Sequence, residues 1–220
     1  MKKYLLLFTF FVFLIGCASK PVPAWKSATF NQLEDYKYYY LIGNTQIAEM
    51  HFNKAVEEVK NSGDLEILEI AYLTKYAVQI AVLENIDDSD YNRIEVLFLS
   101  LSNKNFHEFL KGNFTSVERN LLPEQYQRFY KAFQNKKTVS VTDEILDMED
   151  PLSRLVATGL VVRNNSHDER CLQNAIATAS SNGWKKALLV YLQKLLAYYE
   201  ISKDMEKTAI VQKKIELLRN

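Results

Sequence analysis

Residues able to do chemistry are few in this chain, and their spacing limits what that chemistry could be. His167 and Cys171 stand four positions apart, an interval that can put two metal ligands on one helix face. A zinc site needs about four ligands, and no CxxC or HxxxH pair stands elsewhere to complete one. Burial is the simpler expectation for Cys171, which shares a helical pattern with Ala175, Thr178 and Ala179. His51 has no evident acidic or nucleophilic partner, and His107 lies in the aromatic stretch Asn105-Phe106-His107-Glu108-Phe109. Five acids cluster at Asp143, Glu144, Asp147, Glu149 and Asp150. Paired carboxylates a few ångströms apart can hydrolyse glycosidic bonds, but on an exposed helix such a cluster reads as a solvated face. No GxSxG, P-loop or GxGxxG pattern occurs. The expectation is therefore no catalytic residue, no metal, no small-molecule cofactor and no enzyme.

The N-terminus carries the most specific pattern in the chain. Lys2 and Lys3 precede a nearly continuous apolar run from Tyr4 to Ile15, the charge and length of a secretory signal. A run of about a dozen residues is too short to span a bilayer, which takes about 20. Leu14-Ile15-Gly16-Cys17 resembles the lipobox of bacterial lipoproteins, which implies cleavage after residue 16 and diacylglycerol on the Cys17 sulfur. Ala18, rather than Asp, follows the cysteine. By the same resemblance this implies the outer membrane, facing the periplasm, rather than the inner membrane. Anchoring follows from acyl burial at about 0.8 kcal/mol per methylene.

With Cys17 lipidated, Cys171 is left without a partner for an internal disulfide. Without Lys2 and Lys3 the 27 basic residues fall to 25 against 27 acidic ones, a net charge of −2. That balance gives no broad attraction to nucleic acid. Three regions are expected: a signal over 1–16, a lipidated tether over 17–25 containing Pro21 and Pro23, and one helical domain over 26–220, with halves at 26–135 and 142–220.

The domain reads as all-α. Asp64 to Glu84 carries Leu65, Leu68, Ala71, Tyr72, Lys75, Val78 and Val82 at helical spacing, widened by Ile67, Ile70, Ala77 and Ala81, so this helix should pack on two sides. Trp184, Ala187, Leu188, Tyr191, Leu195 and Tyr198 line a helix over 184–201, and Met205, Thr208, Val211, Ile215 and Leu218 line the last. The spacings Thr29 with Gln32 and Ser166 with Glu169 read as capping boxes. Asp150-Pro151 and Pro123-Glu124 read as further helix starts. Gly43-Asn44, Gly63-Asp64, Gly112-Asn113 and Asn182-Gly183 read as breaks. The interval Lys136 to Thr142 reads as a connection.

Around the first break, Gly43, Ala48, Phe52 and Ala55 resemble the middle of a tetratricopeptide (TPR) repeat, in which small residues let one helix nest against the next. Gly183, Ala187 and Tyr191 echo the pattern, and Asp204 with Ala209 echoes it more faintly, but no 34-residue period runs through the chain. The resemblance implies stacked antiparallel helical hairpins, an irregular TPR-like α-solenoid or a helical bundle. Tyrosine is abundant, with 13 in the chain. Tyr36, Tyr39 and Tyr40 are expected to be buried and Tyr38 outward. Tyr38, Phe52 and Tyr199 are the candidates for contact with a partner protein. The expected function is a lipid-anchored envelope scaffold that binds other proteins, with a peptidoglycan-acting enzyme or its activator as the alternative. Trp184 is expected to anchor the core.

Overall fold

The computed structural model describes residues 22–135 and 138–219. The signal, Cys17 and most of the tether lie outside the described residues. Within them the chain is all-helical: α1 (Ala24–Ile42), α2 (Thr45–Ser62), α3 (Leu65–Ala81), α4 (Ser89–Glu95), α5 (Leu101–Lys111), α6 (Glu124–Gln134), α7 (Thr138–Leu146), α8 (Pro151–Arg163), α9 (Glu169–Ser181), α10 (Lys185–Ser202) and α11 (Met205–Arg219). Two short 3₁₀ turns join α5 to α6.

Local chemistry explains most of the boundaries. Gly43 ends α1 at φ 100° and Asn44 then caps α2, its Oδ1 accepting from the Ile47 N–H. Gly63 at φ 73° and Asp64 repeat the arrangement before α3. Glycine adopts this left-handed backbone at the least steric cost. Asp150 caps α8 through the Ser153 N–H at 2.7 Å, with Pro151 in the first turn as expected. Two expected capping boxes are absent. Helix α1 already begins at Ala24, two residues inside the expected tether, and Thr29 sits within it, its hydroxyl donating to the Trp25 carbonyl. At α9 the cap is Asp168, not Ser166, and accepts from the Cys171 N–H. In both cases a nearer cap or an earlier proline start displaced the spaced pair.

The interval expected as a connection is also corrected, because α7 starts at Thr138. β-Branched residues lower helix propensity by only tenths of a kcal/mol each, and burial of Val141 and Ile145 on this helix outweighs that.

Helices α1 to α3 form an antiparallel layer. Tyr36 meets Phe52 at 5.4 Å between ring centroids, and Phe52 meets Tyr72 at 5.4 Å. Lys75 reaches Glu49 at 2.8 Å, which sets the same register between α2 and α3. As its apolar breadth predicts, α3 is packed on more than one side, touching α1, α2, α4, α5 and α8. Helix α4 descends along α3, with Tyr91 beside Tyr76, and α5 ascends, with Asn103 bonded to Glu69 and His107 beside Tyr76. The N-termini of α1 and α3, the C-terminus of α2 and the α4–α5 connection therefore share one end of the layer.

The second half packs directly on this layer through α3 against α8 and α1 against α10, and one continuous apolar core runs through both. Glu84 ties the junction: it accepts from the Tyr40 hydroxyl and pairs with Lys186 at 2.8 Å, while Arg163 donates to its backbone carbonyl. Of the small residues in the expected pattern, Ala48, Ala55 and Ala187 do lie buried. Ala209 does not, being exposed on α11.

Candidate functional site

The structure disperses the residues that carried candidate chemistry. His167 precedes the Asp168 cap, so it does not share a helix face with Cys171. Cys171 is buried beside the Thr158 hydroxyl, and burial pushes its thiol up to about 12, which keeps it protonated. His51 stacks on Tyr39 and sits 2.8 Å from Gln32. The acidic cluster is drawn into ion pairs: Glu144 and Asp147 face Arg128 at 2.8 and 3.3 Å, Asp143 faces Arg170 at 2.9 Å, and Asp150 caps α8. Glu149, the fifth acid, is exposed. Among the described residues no group of three or more His, Cys, Asp or Glu is placed to hold a metal ion.

Of the three residues expected to contact a partner, only Tyr38 faces outward, 52 % exposed. Phe52 is buried between Tyr36 and Tyr72, and Tyr199 is buried with its hydroxyl donating to Glu169 at 2.6 Å. Both are corrections. Tyr36 and Tyr40 are fully buried and Tyr39 partly so, as the spacing predicts. Trp184 is also corrected, because it sits at the N-cap of α10, half-buried, and Tyr191 occupies the core position instead.

Three features escaped the sequence pattern. The first is a buried polar cluster between α3, α4 and α5. Glu69 is fully buried, its Oε2 accepting from Asn103 at 2.8 Å while Oε1 has no partner among the described residues. Burial pushes its carboxyl above the usual range, Asn103 opposes this, and Glu95 and Glu66 add to it. Nearby, the His107 ring lies tilted against Tyr91, 4.1 Å between centroids, with Nε2 3.4 Å from Asp88. Burial and then Lys111 hold His107 below its usual range, against the pull of Asp88. A polar residue inside so apolar a stretch as Leu68-Glu69-Ile70-Ala71 is the one signal that could have found Glu69.

A raised carboxyl pKa means that the folded state favours the neutral acid. Its contribution is full below the unfolded pKa of about 4.3 and is lost as pH rises through the higher folded value. Glu69→Gln keeps the Asn103 bond and removes the charge, so it should raise the melting temperature at pH 7, with the gain shrinking as pH falls toward 4. His107 is unchanged in both proteins, so melting curves of the pair over pH 4–8 isolate Glu69. A variant less stable than the parent at pH 7 would show that ionised Glu69 is satisfied in the fold.

The second feature is the connection Val96-Leu97-Phe98-Leu99-Ser100 leading to Leu101, where Val96, Leu97, Leu99 and Leu101 are 58–85 % exposed. The third is the outer side of α11. This helix packs chiefly against α10, burying Val211 and Ile215 and leaving Ile210 and Leu217 59 % and 77 % exposed. A groove of about 570 Å³ between the α5–α6 connection, α6, α7 and the α8–α9 turn is lined by Phe114, Thr115, Phe133, Gln134, Val141, Asn164 and Ser166. Those residues are uncharged and include no acid–base pair.

Among the described residues no helix is long and apolar enough to cross a membrane. No family model matches the chain, and no curated protein or solved structure shows significant similarity to it.

Proposed function

We propose that the protein is a lipid-anchored envelope scaffold, held by acyl chains on Cys17 at the outer membrane facing the periplasm. It binds other proteins in the assembly or maintenance of envelope machinery. The observation that carries the binding half of this reading is the open side of α11. Stacked helical hairpins bury their apolar faces on their neighbours, and a terminal helix stays soluble through a polar outer face. Here Ile210 and Leu217 lie one heptad apart on the unpacked side of the last helix, an arrangement suited to a further helix from another chain. The lipobox-like Leu14 to Cys17 supports the anchoring half.

Both halves can be tested in cells of the source bacterium. A photo-cross-linking residue at Leu217 should capture one envelope protein, whereas the same residue at exposed Lys54 on α2 should not. Ile210→Glu should cut that capture about tenfold, the effect of about 1.4 kcal/mol. Cys17→Ala should abolish fatty-acid labelling and membrane fractionation. Equal or absent capture at the two positions removes the scaffold reading, and a labelled, membrane-bound Cys17→Ala protein removes the anchor.

A further inference from the structure

We propose that the Val96–Leu101 connection is a membrane-contacting loop, which inserts its aliphatic side chains into the bilayer that holds the lipidated N-terminus. The inference rests on the anchoring reading above and goes beyond it by assigning a lipid surface to a particular segment.

Two observations meet at this loop. Val96, Leu97, Leu99 and Leu101 are four aliphatic side chains, each more than half exposed, within six residues. Soluble monomers scatter exposed aliphatic residues singly, and contiguous patches mark an interaction site. Neither flank neutralises it: Glu95 pairs with Lys104 at 2.8 Å and Arg93 with Asp90 at 3.3 Å, so the adjacent charges are turned to one another.

The second observation is where the loop lies. The α1–α2 register (Tyr36 to Phe52) and the α2–α3 register (Glu49 to Lys75, Phe52 to Tyr72) place the start of α1 at the same end as the start of α3. The Asn103–Glu69 and Lys104–Glu95 contacts place the loop at that end too. From Cys17 to Ala24 is seven residue steps, which reach at most about 25 Å when fully extended. Lipid on Cys17 therefore confines this end of the domain to the membrane surface. The loop stands about two helix spacings of 8 to 10 Å from α1, across α3. Tethering makes insertion effectively intramolecular, so even a weak apolar contact is populated. Val22 and Phe30 are also exposed near that end, at 63 % and 38 %. A lipid surface accounts for both the side chains and their placement, whereas a protein partner would account for the side chains alone.

The test uses the mature lipidated protein reconstituted in phosphatidylcholine vesicles. Leu97→Cys carries an environment-sensitive fluorophore, and Gln46→Cys, exposed at the opposite end in the first turn of α2, serves as the comparison. Buried Cys171 should not react. The position 97 probe should shift to the blue and lose at least about half its emission with brominated acyl chains, as expected for burial about 5–10 Å into the interface. The position 46 probe should do neither. If the protein floats with the vesicles but both probes behave alike, the loop inference is overturned and the anchor stands. If the protein does not float, the anchor fails and the loop inference falls with it. Photo-cross-linking from position 97 to a protein instead of lipid would overturn the loop inference as well.

Discussion

Replacing Gly159 by alanine should lower the stability of the domain by about 3 kcal/mol or more, the upper range for overpacking a core. On an open helix face the same change would stabilise, since alanine exceeds glycine in helix propensity by about 1 kcal/mol. The sign reverses because α8 crosses α3 at this residue, and an added Cβ would stand 2.3 Å from the Ile80 carbonyl oxygen. That oxygen belongs to backbone and cannot swing aside. It also accepts from the Leu83 N–H in the turn that ends α3, where Leu83 is held at φ 61°. Relief of the clash would have to separate α3 from α8 or unravel that turn, and the junction at Glu84 follows directly. At about 2–4 °C per kcal/mol for a domain of this size, thermal unfolding should drop by roughly 6 °C or more. An unchanged or higher melting temperature would show that the two helices do not cross at Gly159.

Truncation of Tyr191 to alanine should cost about 3–5 kcal/mol, the usual range for deleting a buried aromatic. Tyr191 is completely buried where α10 meets α8, and its hydroxyl donates to the Leu155 carbonyl at 3.1 Å. Tyr191→Phe keeps the ring and loses only that bond, about 1 kcal/mol, so the pair separates packing from hydrogen bonding. Trp184→Ala should cost clearly less than Tyr191→Ala, because Trp184 caps α10 with part of its ring in solvent. Denaturant unfolding of the three variants checks the order. Equal losses for Trp184→Ala and Tyr191→Ala would return Trp184 to the core.

The same helix shows why part of the fold was legible beforehand. Helix class, the two-sided packing of α3 and the breaks at Gly43, Gly63, Gly112 and Gly183 follow from periodicity and backbone freedom, which neighbouring residues decide among themselves. Trp184 departs from its periodic stripe because such a stripe does not say where its helix starts. One residue of shift moved Trp184 from first turn to cap, while Leu192 and Tyr199 took buried positions instead.

The candidate sites were less legible. The acidic residues from Asp143 to Asp150 were visible, but Arg128 and Arg170, which neutralise three of them, come from α6 and α9. Glu69 reads locally as one acid on a long helix, and only α4 and α5 closing over it make it a buried carboxyl. Val96 to Leu101 has the composition of a core segment, since aliphatic residues in a row ordinarily mark burial.

By itself, the sequence determined the helical class, most helix breaks and the lipobox-like N-terminus, because each depends on residues within a few positions of one another. The tertiary structure alone decided which tyrosines face the core, that the α3–α8 crossing at Ile80 leaves room for no Cβ at residue 159, and that an apolar loop lies at the same end as the start of α1. Those outcomes depend on helices distant in the chain, where burial is set by whatever packs on a face and not by the face itself.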